Sequence, residues 1–314
     1  MKKIFILIVT FNRIEYLKKL LERLKYIKPI PQSILIVDNN STDNTNAELV
    51  KLHYASNNNE DVIQENIVNN TKILYYRNSE NSGGAGGFAK GFEILKKYDW
   101  DYLWIMDDDV LPDEKCLENL LKYQTEEVKI TIPNRTTEGF LEQICTSINL
   151  KNPFKIFMHK KTICDINKVD KKIKVVDMAF EGPLMNREIV NLVGSPNEEY
   201  FLQYDDTDYA TRAKQYTDIE WIKDAHLYKQ IIPSKDNKKY MNWKDYYAYR
   251  NDIIYCRKYG RNCLVKNITP IFLWMNLSVK ALLKMKFRNF KVINKAFIDG
   301  LKGNSGKTVK PGEL

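Results

Sequence analysis

The chain has 314 residues, of which 44% are apolar and 28% are charged, a composition that excludes fibrous and disordered classes. At this length a chain buries about three quarters of its extended surface, which allows one large domain or two. The net charge is +9, but residues 265–314 hold ten Lys/Arg and two Asp/Glu, a net of +8, so the first 264 residues carry only +1. Because the basic charge is confined to the tail, we expect no nucleic-acid partner.

Cysteine and histidine usage argues against a structural metal site. The five cysteines form no CxxC pair, and the three histidines are scattered. We therefore expect a reducing compartment, the cytoplasm. The start, MKKIFILIVTF, has a short apolar part and no small-residue cleavage site after it, so it predicts a first strand rather than a signal peptide.

Apolar periodicity predicts alternating strands and helices in the first third of the chain. The predicted strands are 3–9, 33–37, 72–76 and 101–106, and the predicted helices are 14–27, 44 onward and 88–98. Residues 56–70 are Asn-rich and predict a surface excursion. This β-α-β-α-β-α-β order predicts a parallel α/β sheet, with the loops TFNR, DNNS, NSGGAGG and DDD at its carboxyl edge.

The remaining elements are predicted as mixed. They are a strand, turn and helix start over 175–190, an acid-led helix within 198–216, a strand over 219–230, a long helix ending at 260 and a basic amphipathic tail over 270–302. The tail pattern favours a membrane-surface element, with packing on the domain or dimerisation as the alternative.

Three aspartates, Asp107 to Asp109, follow the fourth predicted strand. Alternate side chains of an extended chain share a face, so Asp107 and Asp109 should point together and Asp108 away. Such a pair suits a hard divalent cation, which uses one or two carboxylates and substrate phosphates. A solvated turn is the alternative interpretation.

The Gly-rich stretch SGGAGGFAKG contains a match to G-x-G-x-x-G/A. Its place after the third strand, not the first, argues against a dinucleotide fingerprint. A Gly-rich turn that opens a helix can still face a pyrophosphate, or it can be a flexible turn. Asp38, at the end of the second strand, suits either a nucleotide base or ribose, or the cap of the next helix.

A second acidic cluster, YDDTDYATRA, lies about 100 residues later. Alone it is an ordinary helix start; beside a metal site it is a candidate general base. If it opens a helix, Asp205 and Asp208 share a face and suit capping or pairing with Arg212, while Asp206 is turned about 100° away. His226, near a strand end, is either a metal ligand or a surface histidine.

Taken together, these motifs resemble the family-2 glycosyltransferases of the GT-A fold over residues 3–260. The resemblance rests on IVTFNR, ILIVDNNSTDNT, NSGGAGGFAKG, WIMDDDVLP and FEGPLMNR. Three later stretches, YFLQYDDTDYATR, AHLYK and WKDYYAYRN, resemble the galactofuranosyltransferase and rhamnosyltransferase branch. The implied fold is α/β: a Rossmann-like, mixed but mainly parallel sheet flanked by helices, with a C-terminal helical extension. The implied domains are 1–260, with a nucleotide-binding half (1–110) and an acceptor half (111–260), followed by the tail, 261–314.

The resemblance also implies roles for individual residues. Asp206 is the expected base, and Asp107, Asp109 and His226 are the expected ligands of Mn²⁺ or Mg²⁺. The expected nucleotide-sugar-binding residues are Thr10, Asn12, Arg13, Asp38, Asn81, Gly83, Gly84 and Asp108. Glu181, Asp205 and Asp208 are expected to support the acceptor.

The expected reaction is inverting transfer of a sugar from a nucleotide-diphospho-sugar to a glycan hydroxyl. UDP-galactofuranose is the favoured donor and dTDP-rhamnose the alternative. We expect the tail to place the protein at the inner face of the cell membrane, as a peripherally associated cytoplasmic protein. A lipid-linked acceptor and a homo-oligomer are left open. A nucleotidyltransferase and a non-catalytic sugar-binding scaffold are the competing classes.

Overall fold

The computed structural model of the protein describes residues 2–140, 142–232, 240–310 and 313. The strands are β1 (Ile4–Thr10), β2 (Ser33–Asp38), β3 (Ile63–Val68), β4 (Thr71–Arg77), β5 (Tyr102–Asp107), β6 (Val110–Pro112), β7 (Val128–Thr136), β8 (Ile144–Ile148), β9 (Lys161–Cys164), β10 (Lys172–Val175), β11 (Leu184–Asn186) and β12 (Asp218–Lys229). The helices are α1 (Ile14–Leu24), α2 (Thr45–Lys51), α3 (Gly83–Leu95), α4 (Cys116–Lys122), α5 (Arg187–Val193), α6 (Asp205–Ala213), α7 (Trp243–Tyr259), α8 (Cys263–Leu283) and α9 (Phe287–Lys302).

Within the described residues, ten strands form one mixed sheet in the order β10-β12-β7-β11-β5-β1-β2-β4-β3, with β6 paired to β12. The pairs β1–β2, β1–β5 and β2–β4 are parallel, so the four predicted strands are confirmed and their carboxyl ends meet at one edge. The predicted surface excursion over 56–70 is wrong in part, because residues 63–68 form β3, an antiparallel edge strand on β4.

Both faces of the sheet are covered, which is why its parallel strands are continuously apolar. In β1, Phe5, Leu7 and Val9 belong to a core cluster that includes side chains of α3, α5 and α6. Ile4, Ile6 and Ile8 belong to a second cluster with side chains of α1, α2 and α4. The result is a three-layer α/β/α arrangement that fixes the loops at the carboxyl edge.

The C-terminal segment packs against the rest of the protein. Val292 and Ala296 of α9, together with Val309, bury the rings of Tyr246 and Tyr247 on α7. The Tyr246 hydroxyl donates to Asp299 (2.6 Å), and the Tyr247 hydroxyl donates to the Val309 carbonyl (2.8 Å). Residues 287–310 therefore complete a core around α7. Packing of the tail on the domain is the alternative to membrane binding in the sequence analysis. Among the described residues, no helix has the length and apolarity that crossing a membrane requires.

Candidate active site

The three aspartates lie where β5 ends. The strand stops at Asp107, and Asp108 and Asp109 form the turn into β6. The alternation of an extended strand therefore does not extend over Asp108 and Asp109, and Asp108 is only 2% exposed. The Thr10 hydroxyl donates to Asp108 (2.7 Å), and Arg13 Nη1 donates to both Asp108 and Asp109 (3.1 Å each). The loop after β1 thus holds this turn.

Burial and mutual repulsion disfavour ionisation of these carboxyls. The pKa of Asp107 is well above its usual range because the group is buried near the charges of Asp109 and Glu181. Burial raises the pKa of Asp108 to about 6, although Arg13 opposes the rise. Burial also raises the pKa of Asp109 against the same arginine. Additional positive charge would therefore stabilise the ionised site.

The donor chemistry of Asp107 and Asp109 fits a divalent cation. Within the described ranges, no three His, Cys, Asp or Glu side chains are grouped as a self-sufficient metal site. Mn²⁺ or Mg²⁺ needs no such group, because one or two carboxylates, substrate phosphates and water complete its shell. The Oδ1 atom of Asp109 is buried with no hydrogen-bond partner in the described structure, and a cation would satisfy it.

His226 does not join these carboxylates. Its carbonyl accepts from the N–H of Asp113, whereas the N–H of Gln230 donates to the carbonyl of Asp109. His226 is thus four residues along β12 from the residue opposite Asp109, about 13 Å at ~3.3 Å per residue. Its Nδ1 atom is buried without a partner in the described structure, but the strand register gives no support to metal ligation.

A cavity of about 360 Å³, here called the Thr10 cavity, opens beside the aspartate turn. Seven of the predicted nucleotide-sugar-binding and metal residues line it: Thr10, Arg13, Asn81, Gly83, Gly84, Asp107 and Asp108. Phe11, Asn39, Phe201, Leu202, Trp243 and Lys244 also line it and escaped the sequence reasoning. The cavity combines backbone at the start of α3, an arginine and carboxylates, which is the chemistry that a phosphate with a bound cation requires.

Asn39 shapes the Gly-rich wall of the Thr10 cavity. Its Oδ1 accepts from the backbone N–H (3.1 Å) and hydroxyl (2.9 Å) of Ser82, and its Nδ2 donates to the Gly83 carbonyl (2.6 Å). Gly83 has a φ of +75°, and a Cβ there would lie 2.0 Å from the Phe201 carbonyl oxygen. A Cβ at Gly84, in contrast, would meet nothing within 4 Å. Gly83 is therefore required by the backbone.

Asp38 and Asn12 support the cavity from behind. Asp38 is fully buried and accepts from the Ser41 N–H (2.8 Å) and the Tyr75 hydroxyl (2.9 Å). Asn12 has a φ of +53° and accepts from the Thr42 N–H (2.6 Å). Neither side chain lines the Thr10 cavity. In this structure both fix the loop after β2.

A second cavity, of about 320 Å³, contains the predicted base and is here called the Asp206 cavity. Its charged walls come from β7, the loop before β8, β9, the segment before β11 and α6: Arg135, Glu142, Lys161, Asp177, Glu181 and Asp206. Glu181 accepts from Arg135 (3.0 Å) and Lys229 (2.7 Å). Burial raises the pKa of Glu181, but these two cations outweigh burial and hold it below the usual range.

Asp206 is poised to change its charge near neutral pH. Burial and the charge of Asp177 raise its pKa to about 6, while Lys161 opposes the rise. One oxygen of Asp206 accepts from the Thr207 N–H (2.7 Å). Lys161 pairs with Asp177, whose second oxygen is buried without a partner in the described structure. Neither Lys161 nor Asp177 stood out in the sequence, because each lies outside any motif.

The neighbouring acids of this cluster differ from Asp206. Asp208 is fully buried and accepts from Arg212 (2.9 Å), Lys258 (2.8 Å) and Tyr259 (2.7 Å), which confirms its predicted pairing with Arg212. These donors hold the pKa of Asp208 below its usual range despite burial. Burial and the charge of Asp206 raise the pKa of Asp205 to about 8. Asp208 stabilises the fold, and of the three only Asp206 lines the cavity.

The segment before α6 is held in an unusual backbone conformation. Phe201, Gln203 and Tyr204 have φ values of +60°, +66° and +72°. Each such non-Gly residue costs about 1–3 kcal/mol. Asn251 of α7 offsets this strain, because its Nδ2 lies within hydrogen-bond distance of three backbone carbonyls of the segment: Tyr200 (3.0 Å), Leu202 (2.9 Å) and Gln203 (2.9 Å).

Comparison with known proteins finds a sequence family that matches this chain and solved structures with a similar fold. The family described as Glycosyl transferase family 2 matches residues 5–190, more than half of the chain. A search of curated proteins found no match.

Solved structures share the fold at low identity. A mannosyltransferase from Pyrobaculum calidifontis, in complex with GDP-Man and Mn²⁺, is 13% identical with a TM-score of 0.55, over 96% of this chain and 88% of its own. TarS from S. aureus, in complex with UDP-GlcNAc, is 15% identical with a TM-score of 0.55, over 95% and 81%. GalNAc-T7, with UDP, GalNAc and Mn²⁺, is 11% identical with a TM-score of 0.62, over 97% of this chain and 56% of its own. The predicted GT-A fold is confirmed.

Proposed function

The chain belongs to glycosyl transferase family 2, and we propose that it is an inverting, metal-dependent enzyme that moves a sugar from a nucleotide-diphospho-sugar to a hydroxyl of a glycan. One observation carries the proposal: adjoining stretches of the chain line the Thr10 and Asp206 cavities, with Leu202 on the first and Gln203 on the second. Asp107 lines the first cavity, Glu181 lines the second, and the charge of Glu181 raises the pKa of Asp107. A donor in one cavity and an acceptor in the other would therefore share one reacting centre.

In this proposal the Thr10 cavity takes the nucleoside diphosphate. Arg13 and the backbone at the start of α3 bind phosphate oxygens, and Gly84 leaves room for their approach. Asp107 and Asp109 would hold Mn²⁺ or Mg²⁺, which would supply positive charge for the departing diphosphate. Asp38 and Asn12 act as the framework of this wall, because their hydrogen bonds are internal to the loops.

The Asp206 cavity takes the acceptor. The ionised Asp206 carboxylate removes the proton of the acceptor hydroxyl, whose oxygen forms a bond to the anomeric carbon as the bond from that carbon to the phosphate oxygen breaks. A single direct displacement inverts the anomeric configuration. A pKa near 6 supports this role, because such a carboxyl is largely ionised at neutral pH yet more basic than an ordinary aspartate. Arg135 and Glu181, which line the same cavity, support the acceptor.

The donor and acceptor rest on the sequence resemblance. UDP-galactofuranose is the favoured donor and dTDP-rhamnose the alternative, and the acceptor is a glycan of cell-surface polysaccharide or glycolipid assembly. We also propose the division into 1–260, with halves 1–110 and 111–260, and a basic tail over 261–314. Within it, residues 287–310 pack on α7 and are part of the same folded unit.

A nucleotide-sugar panel with Mn²⁺ tests the function. Release of nucleoside diphosphate that depends on a glycan acceptor supports the proposal, and release of pyrophosphate instead indicates a nucleotidyltransferase. If neither product forms with any donor and acceptor, the chain is a non-catalytic scaffold and the proposal falls. Asp206→Asn is the inactive reference, and Glu114→Gln, an exposed acid outside both cavities, is the matched control.

A further inference from the structure

The helix α8 carries an exposed apolar surface, here called the α8 stripe. It consists of six residues at helical spacing: Leu264, Ile268, Ile271, Met275, Val279 and Leu282. The stripe continues across the α8–α9 turn, defined here as residues 283–287, where Leu283, Met285 and Phe287 are 81%, 71% and 56% exposed. Large apolar side chains grouped in this way mark an interaction site rather than ordinary surface.

The charge around the stripe selects its partner. Residues 261–298 contain eight Lys/Arg and no Asp or Glu. Lys280, Lys284 and Lys291 are exposed at the end of α8 and the start of α9, beside the apolar turn. Apolar side chains surrounded by positive charge are complementary to an anionic lipid surface. A second copy of this segment would instead bring like charges together.

The helix α8 packs against the segment that leads to the Asp206 cavity. The ring of Phe272 in α8 packs edge-to-face on Phe154, with centroids 5.3 Å apart, and Phe154 is itself exposed. A few residues further, Met158 and Ile163 are exposed at the rim of the Asp206 cavity. The helix α8 is therefore linked through Phe154 to a segment whose exposed residues Met158 and Ile163 line the cavity that contains Asp206.

We propose that the α8 stripe and the α8–α9 turn dock on an anionic membrane surface and turn the Asp206 cavity toward the lipid. Apolar side chains of α8 enter the interface, and the lysines contact anionic headgroups. The second part, presentation of a lipid-linked acceptor, rests on the proposed transferase function, whereas membrane docking does not. Each lysine near an anionic surface contributes about 1 kcal/mol, which is roughly a fivefold change in partitioning.

Vesicle co-sedimentation of the full chain, without nucleotide sugar, tests docking. We expect binding to vesicles of equal parts phosphatidylcholine and phosphatidylglycerol, weaker binding at high salt, and little binding to phosphatidylcholine alone. The variant Lys280→Gln/Lys284→Gln/Lys291→Gln should reduce partitioning about a hundredfold. The variant Leu283→Gln/Met285→Gln/Phe287→Gln should reduce it at least about tenfold, since the removed apolar surface is what enters the interface.

The matched control is Ile30→Gln/Ile67→Gln, which removes two apolar side chains of similar exposure (75% and 77%) far from α8 in sequence. It should bind as the unmodified protein does, and unchanged circular dichroism melts should show that all variants fold. Failure of the protein to sediment with anionic vesicles, or full binding by the turn variant, overturns docking. A stable dimer that the turn variant dissociates would assign the stripe to self-association instead. If the protein docks on vesicles but shows no activity in the nucleotide-sugar panel, the docking proposal is supported and the proposed transferase function is rejected.

Discussion

The ionisation of Asp206 offers the most direct test of its role as a general base. Burial and the charge of Asp177 raise its pKa to about 6, and Lys161 opposes the rise. Asp177→Asn removes the like charge and leaves Lys161 without its carboxylate partner, so both effects favour the ionised form of Asp206. Lys161→Gln removes the favourable cation and keeps the charge of Asp177, so its effect has the opposite sign.

The size of the effect follows from the fraction of Asp206 that is ionised. With a pKa of about 6, roughly nine tenths is ionised at pH 7 and roughly one tenth at pH 5, so kcat should fall about tenfold over this range. In Asp177→Asn the fall should begin at lower pH, with a displacement below the full rise from 3.8 to about 6, because burial remains. In Lys161→Gln it should begin at higher pH. Asp206→Asn should lower kcat by about 10²–10⁴-fold at pH 7 and should abolish the fall in kcat at acid pH.

The assay is steady-state release of nucleoside diphosphate across this pH range, from the donor that the panel identifies. Calorimetric titration should show nearly unchanged affinity of Asp206→Asn for donor and Mn²⁺, since the residue lies in the other cavity. Glu114→Gln should keep the profile of the unmodified enzyme. The reasoning is refuted if Asp206→Asn retains near-normal kcat while Asp205→Asn or Asp208→Asn loses it, or if neither neighbour variant moves the acid limb.

Three further outcomes are expected. Asp107→Asn and Asp109→Asn should each weaken Mn²⁺-dependent binding of nucleoside diphosphate in calorimetric titration. If both variants keep the affinity of the unmodified protein, their role as cation ligands is contradicted. Gly83→Ala should lower the free energy of unfolding by about 1–3 kcal/mol or more, because φ is +75° and the new Cβ would clash with the Phe201 carbonyl; an unchanged denaturant midpoint would count against this. Asp205→Asn should stabilise the fold relative to the unmodified protein, and the difference should grow as pH rises from about 4 to about 8. A carboxyl whose folded pKa is raised to about 8 contributes stability at low pH that is lost as pH rises, and the asparagine has no such loss. Unfolding curves across this range measure the difference, and a pH-independent difference would refute the prediction.

The first half of the fold is predictable because its signals are local. Four apolar runs, each followed by a polar loop, dictate the parallel strands β1, β2, β4 and β5, and hence which loops meet at one edge. The strand β3 escaped prediction because its sequence, IQENIV, has three consecutive polar residues and no apolar alternation, and its stability comes from edge pairing with β4. A strand with one partner and an exposed face leaves little apolar signal in the sequence.

The site was predictable in its residue types and less so in its geometry. Alternation along an extended chain predicts Asp108 on the face opposite Asp107 and Asp109, but the chain turns after Asp107, where Thr10 and Arg13 hydrogen-bond to Asp108 and Arg13 also bonds to Asp109. A turn of two residues is decided by such long-range hydrogen bonds, which the sequence around the aspartates does not contain. The same limit applies to Asp177 and Lys161, because only the fold brings them beside Asp206.

The C-terminal segment shows how a distant part of the chain fixes both cavities. Arg250 of α7 donates to the carbonyls of Gly306 (2.7 Å) and Tyr200 (3.0 Å), so it links the end of the chain to the segment before α6. Its neighbour Asn251 holds the carbonyls of that segment in the strained conformation. At one end of the segment, Phe201 crowds Gly83 at the Thr10 cavity. The other end of this segment directly precedes α6, the helix that contains Asp206. Loss of residues 287–310 would therefore loosen the phosphate-facing wall and the candidate base together, although none of those residues lines either cavity.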